Sequence, residues 1–155
     1  MRPDFLNINN DLPPQESLEE RFNSERLTWN DKIKEMSSKM KQVFEIPELM
    51  TTLYTERQRA VEYYHYIISL MIGLNRKYNA SYAERQDYYT TKSPIRYPNE
   101  SSKHNKILVD LADIVEKREM LNNHSRFIDR TISTLDNLIF AVPKRVEIEQ
   151  ISRGK

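Results

Sequence analysis

Apolar residues recur in steps of four and three along two long stretches of this chain that are nearly free of Gly and Pro. The first runs through Met50, Tyr54, Arg57, Val61, Tyr64, Ile68, Met71, Asn75, Tyr78, Tyr82, Arg85 and Tyr89, of which nine are apolar or aromatic. The second runs through Ile107, Leu111, Ile114, Arg118, Leu121, Ser125, Ile128, Ile132, Leu135, Ile139 and Val142, of which nine are apolar. A mean step of 3.5 keeps one seam of a helix facing a partner laid nearly in line with it. The pattern predicts an all-α, elongated long-helix hairpin with coiled-coil-like seams. A rod of that kind has no pocket of its own, which points to an assembly protein before it points to an enzyme.

Punctuation residues set the expected elements. Residues 1–16, with Pro13-Pro14 near their end, read as a flexible arm, and 17–155 as one helical domain. Ser17 and Glu20 have capping-box spacing, and Leu18, Phe22, Trp29, Ile33, Met36, Met40 and Val43 carry a helical pattern to about 44, with a break possible near 23–24. Proline is favoured at a helix start, so a second helix is expected from Pro47 to Tyr89. Between Ala60 and Leu74 it is apolar on more than one face, which predicts several neighbours. Pro94 and Pro98 place a loop over 90–101, with Asn99, Ser101 or Ser102 as cap of a third helix over 102–142. Pro143 then opens a short last helix, 144–152.

Composition sharpens this picture. Charged residues are 30% of the 155, apolar ones only 38%, and mean hydropathy is −0.77. Extended helices with so modest an apolar content leave seams half covered, and self-association buries the rest. The absence of cysteine excludes disulfides, thiolate catalysis and Cys-based zinc sites. The opening Met-Arg-Pro-Asp-Phe lacks the apolar core of a signal peptide, and the most apolar run, 66–74, is far short of the roughly 20 residues of a spanning helix. An intracellular protein without a membrane segment is expected.

Enzymatic constellations are sparse. Two glycines, Gly73 and Gly154, cannot build a phosphate-cradling loop, and three scattered histidines support no nucleophilic triad. Glu62 and His65 form an E-x-x-H on a helix, but a di-iron bundle needs two such units and two further glutamates. A helix-face ion pair or a buried, hydrogen-bonded His65 is the better reading. No catalytic residue, metal or cofactor is expected.

Charge is unevenly placed. Residues 76–106 carry seven Lys/Arg against three Asp/Glu, net +4 in a chain of net +1, and the same segment holds Tyr78, Tyr82, Tyr88, Tyr89 and Tyr97. Cations that follow phosphates and aromatic faces on which bases stack are what single-stranded nucleic acid requires. Arg76, Lys77, Arg85, Tyr88, Lys92 and Arg96 are the candidate contacts. Tyr78, Tyr82 and Tyr89 also fit the seam, and the charges also fit a solvated face.

Ile46-Pro47-Glu48-Leu49, Arg85-Gln86-Asp87-Tyr88-Tyr89-Thr90 and Arg145-Val146-Glu147-Ile148-Glu149 occur in this order, the last followed by a Gly near the C-terminus. Together they resemble the UvsY recombination mediators of T-even-like phages and cyanophages, over about residues 46–155. The resemblance implies a symmetric, ring-like homo-oligomer that binds single-stranded DNA. It also implies as partners a RecA-like phage recombinase, which it helps to load, and the single-strand-binding protein that is displaced. The setting would be the cytoplasm of an infected bacterial host. The family's Lys-x-Arg before Asp-Tyr-Tyr falls here on Ala83, Glu84 and Arg85, so only the arginine is kept. Its C-terminal assembly segment places Val146, Ile148 and Ile151 at a subunit contact, with Pro143 interrupting the approach. The rival reading is a structural coiled-coil, virion or scaffolding protein in which every aromatic is seam.

Overall fold

Two helices of 42 residues, about 63 Å each at 1.5 Å per residue, form an antiparallel pair: α2 (Ile46–Asp87) and α4 (Ala112–Arg153). Arg57 pairs with Asp136, Tyr63 meets His124 and Tyr78 meets Arg118, so their residue numbers run in opposite senses. They are joined by a π-helical turn (Tyr88–Lys92), a loop and α3 (Glu100–Asp110). A first helix, α1 (Gln15–Lys39), lies along both, followed by the 3-10 turn Val43–Glu45. The computed structural model describes residues 15–154, whose regular elements are all helices, with no strand among them. The expected arm, residues 1–16, lies outside the described residues except for its last two, which already belong to α1.

The core is the space between α1, α2 and α4. Trp29 and Met36 pack there with Ile46, Leu49, Leu53, Ala60, Ile128, Leu135 and Val142. Leu18 and Phe22 pack with Ile67, Leu74 and Leu121 nearer the α3 end. The apolar line expected on α1 is therefore its core face, and the helix runs through 23–24 without a break. The side chain of Val43, last in that line, lies outside the described set.

In α2 the buried face is centred one residue earlier than the expected register. Ile46, Leu49, Leu53, Glu56, Ala60, Ile67 and Leu74 are buried, with half-buried Tyr63 and Leu70 at the intervening positions. The expected line is the flank of this seam: Met50, Val61, Tyr64, Ile68, Met71 and Tyr78 are half-buried, while Tyr54 and Asn75 are exposed. A helix lodged between two partners turns the middle of its wide apolar arc into the cleft between them. A helix with one partner could have used either edge. In the second register, of which Ile107 lies in α3, Leu111 at the break and the other nine positions in α4, the expected line is the buried one, with none of its eleven positions exposed.

Helix ends follow local chemistry except at two places. Pro47 sits in the first turn of α2, where its missing N–H costs nothing. Asn99 caps α3 by accepting a hydrogen bond from the Ser102 amide at 2.8 Å. Leu111, with φ −102° and ψ 16°, breaks the helix expected over 102–142 into α3 and α4. This bend lets α3 pack on the last turns of α2 while Leu111 itself stays buried. Pro143 does not end α4, which continues to Arg153. The ring removes one backbone hydrogen bond, but Val142 before it is buried and Val146 after it packs on the core, and that burial holds the helix together.

A polar layer separates the two apolar clusters. His124, fully buried, stacks on Phe22 with ring centroids 3.9 Å apart, and its Nε2 lies 2.9 Å from Glu25 Oε2. Tyr63 donates its hydroxyl to the same carboxylate, and Arg21 Nε reaches it at 3.0 Å. One glutamate of α1 thus ties α2 and α4 together. A second tie is Glu56, buried in α2, which receives Lys32 Nζ at 2.9 Å and its neighbour Arg59 at 2.8 Å.

Candidate nucleic-acid interface

The basic segment occupies the end of the bundle where α2, the π-turn and α3 meet. Thr90 and Thr91 turn their hydroxyls back onto the carbonyls of Gln86 and Asp87, and the Ser93 amide closes the wide turn on Tyr88 at 2.9 Å. Tyr89 then packs edge-on against both Tyr88 and Tyr97, at 5.1 and 5.4 Å, so the loop is pinned to the helix end by three aromatic rings.

Asp110, the last residue of α3, collects much of the local charge. Tyr89 donates its hydroxyl to it, Lys106 Nζ lies 2.9 Å away and Arg85 lies 4.0 Å away. These hydrogen bonds, first from Tyr89 and then from Lys106, hold the Asp110 carboxyl below the usual range and raise Tyr89 and Lys106 above theirs. Lys103 is spent on Glu100 at 2.8 Å and on the Thr90 hydroxyl at 3.2 Å. Lys92, exposed, stands 3.8 Å from Asp87.

The six candidate contacts therefore differ in standing. Arg76 and Arg96 are exposed, and among the described residues neither has a carboxylate within ion-pair distance. Lys77 is half-buried on the turn beside Arg76. Arg85 is exposed but shares Asp110, Lys92 is loosely paired, and Tyr88 offers part of one ring. Asp110 lies just past the basic segment, which is why a charge count over 76–106 misses it. The signal was present, since Lys106 and Asp110 have the i,i+4 spacing of a helical ion pair.

Two separate open depressions lie along the flank of α2. The first, about 390 Å³, is lined by Met71, Asn75, Val115, Arg118, Glu119 and Asn122. The second, about 260 Å³, is lined by Tyr78, Asn79, Tyr82, Ala83, Gln86 and His104. Arg118, which occupied a seam position in the sequence pattern, lays its guanidinium over the Tyr78 ring at 4.3 Å. Of the residues read as seam, Met71 and Asn75 line the first depression and Tyr78 and Tyr82 the second.

At the opposite end, Val146 packs on the chain's own core, while Ile148 and Ile151 are each 59% exposed. Phe140 is exposed as well and carries Lys144 over its ring. Glu62 and His65 are both exposed; Gln58 donates to Glu62, and the His65 ring stands edge-on to Tyr64 at 5.9 Å. Neither sequence expectation for His65, a helix-face ion pair or burial, holds. The buried, hydrogen-bonded histidine is His124, on the opposite helix. Among the described residues no three His, Asp or Glu side chains converge as metal ligands, and no helix is long and apolar enough to cross a membrane. Compared with known proteins, the chain matches no family model, no curated protein and no solved structure.

Proposed function

We propose that this protein binds single-stranded DNA without catalysis and works as a homo-oligomer, a ring in the fullest form of the idea. Its role would be that of a recombination mediator, organising a strand so that a RecA-like recombinase displaces single-strand-binding protein. The supporting observation is the placing of cations at one open end of the bundle. Among the described residues, Arg76 and Arg96 are exposed with no carboxylate in ion-pair distance, in the segment that also holds Tyr78, Tyr82, Tyr88, Tyr89 and Tyr97. Cations multiplied by symmetry become a track, and avidity supplies what single contacts lack. The mediator role itself rests on the resemblance of 46–155 to the UvsY-like proteins.

The rival, a structural assembly protein that ignores nucleic acid, draws support from Asp110, which pairs with Lys106 at 2.9 Å and stands 4.0 Å from Arg85 within the chain. Fluorescence anisotropy of the full chain with labelled single and double strands separates the two. The expected result is preference for the single strand, with log K falling against log salt by about 0.7 per neutralised phosphate. Equal affinity for duplex, or affinity indifferent to salt, rejects the proposal in favour of the rival.

A further inference from the structure

From Ala60 to Asn75 in α2, Glu62 is the one charged residue of sixteen. One line of this stretch, Ala60, Ile67 and Leu74, is buried in the chain's own core. A second line, Val61, Ile68 and Asn75, lies one residue on, about 100° around the helix. Tyr64 and Met71 fall between its members in the same steps of three and four, and they rest partly on the core. Val61, Ile68 and the 50% exposed Ile72 pack on neither core cluster. α1 meets α2 through Tyr63 and Glu56, which belong to the buried register, so it leaves the second line half open. A helix that is apolar on all sides is normally buried on all sides. This one is buried on one side only.

From these observations we infer that the second line is a parallel coiled-coil seam with α2 of a second copy of this chain, with Asn75 facing Asn75 of the partner subunit. The inference rests on the homo-oligomer reading above and adds the surface and the direction of the pairing. With Val61, Ile68 and Asn75 at the a positions of a heptad, Tyr64 and Met71 fall at d. β-Branched residues at a favour two parallel strands, and a single Asn at a fixes their register, because its amide is satisfied by the matching Asn. Gln58, His65, Ile72 and Asn79, which flank the seam on its open side, include no Asp, Glu, Lys or Arg. Two copies of the helix therefore meet there without like-charge repulsion. Parallel pairing also sets the two basic ends side by side, where Arg76 and Arg96 of both copies serve one strand. An antiparallel pair would send them to opposite ends.

The chain has no cysteine, so a single one introduced on the seam reports on its own counterpart. A disulfide forms where two Cα atoms come within roughly 4.4–6.8 Å, the spacing of facing a positions in an in-register pair. Val61→Cys and Asn75→Cys are made in the full chain, with Lys34→Cys, at an exposed position of α1, as control. Light scattering gives the mass of the parent, and circular dichroism the helical content of each variant. A non-reducing gel after mild oxidation gives the covalent dimer. Both seam variants should keep the parent's helical content and form the covalent dimer about tenfold faster than Lys34→Cys, or more, through their high effective concentration. An oligomeric parent whose two seam variants react no faster than the control overturns the seam and leaves the homo-oligomer reading standing. Cross-linking at one position alone, or only between the two variants when mixed, means crossed or antiparallel helices and overturns the parallel pairing. A monomeric parent removes the homo-oligomer reading, and this contact with it.

Discussion

His124 and Glu25, 99 positions apart in the chain, meet at 2.9 Å in the middle of the bundle. Burial by itself raises the Glu25 carboxyl, but hydrogen bonds from His124, Tyr63 and Arg21 outweigh it and hold the group at about 2. The hydroxyl of Tyr63, desolvated and donating to that carboxylate, is pushed well above its usual range and stays neutral. A charged acceptor with three donors on three helices orients α1 against the α2–α4 pair. An apolar layer there would add burial and would not select one alignment over its neighbours.

This pair makes stability depend on acid in a defined window. A depressed carboxylate contributes fully above its unfolded value, near 4.5, and loses that contribution as pH falls toward about 2. Glu25 is partly reached by solvent, so the effect is discounted to about 1–2 kcal/mol. Glu25→Gln should therefore be less stable than the parent by about that amount at pH 7. The gap should close between pH 4.5 and 2, as read by urea melts at each pH. A gap that persists at pH 2 would show that the loss comes from packing and not from charge.

The one-residue choice of register on α2 is open to a direct comparison. Leu53 is 0% exposed and Tyr54 is 56% exposed. Leu53→Ala should cost about 2–5 kcal/mol, as large-to-small changes in a core do. Tyr54→Ala should stay within about 1 kcal/mol, as surface changes do. Denaturant unfolding of the two variants decides it, and the reverse order would restore the Met50–Tyr54 register as the seam.

Asp110 restrains the basic end, and releasing it should be visible in DNA binding. Asp110→Asn frees Lys106 and Arg85 from a shared carboxylate and removes one negative charge. Affinity for a single strand should rise severalfold at low salt, with a steeper salt slope. In the same assay Arg76→Ala and Arg96→Ala should each weaken binding more than Arg85→Ala or Lys92→Ala, whose charges already have partners. Unchanged affinity in Asp110→Asn would remove Arg85 and Lys106 from the interface.

Self-association is best tested without cutting the chain. Deleting the C-terminal turns would also remove Val146, which packs on the core, so a loss of mass would have two causes. Ile148→Asp with Ile151→Asp alters only exposed positions. If these residues form the subunit contact, light scattering should show the parent as an oligomer and the double variant at a lower mass, with helical content unchanged. An unchanged mass would clear both isoleucines of that role.

All-helical architecture was legible in the steps of four and three, because a repeat near 3.6 residues is a local property that no tertiary contact has to supply. The same holds for the start of α2 at its proline and for Asn99 as a cap, which depend on a few neighbouring residues. The α4 seam could be read directly, since one apolar stripe there has no competitor. On α2 two adjacent registers are both apolar, and counting alone favours Ile46 through Leu74, where Glu56 is the sole charged position among nine. The register with the higher count is the buried one, and the tertiary structure adds α1 as a second partner for it to face, through Tyr63 on Glu25 and Glu56 on Lys32. Tertiary packing also carried α4 through Pro143, because burial of Val142 and the packing of Val146 outweigh one lost hydrogen bond. The depression beside Tyr82, the union of Glu25 with His124 and the restraint of Arg85 by Asp110 are meetings of separate helices. A periodicity tells which face of a helix is apolar, and only the packed bundle determines which polar groups are brought within reach of one another.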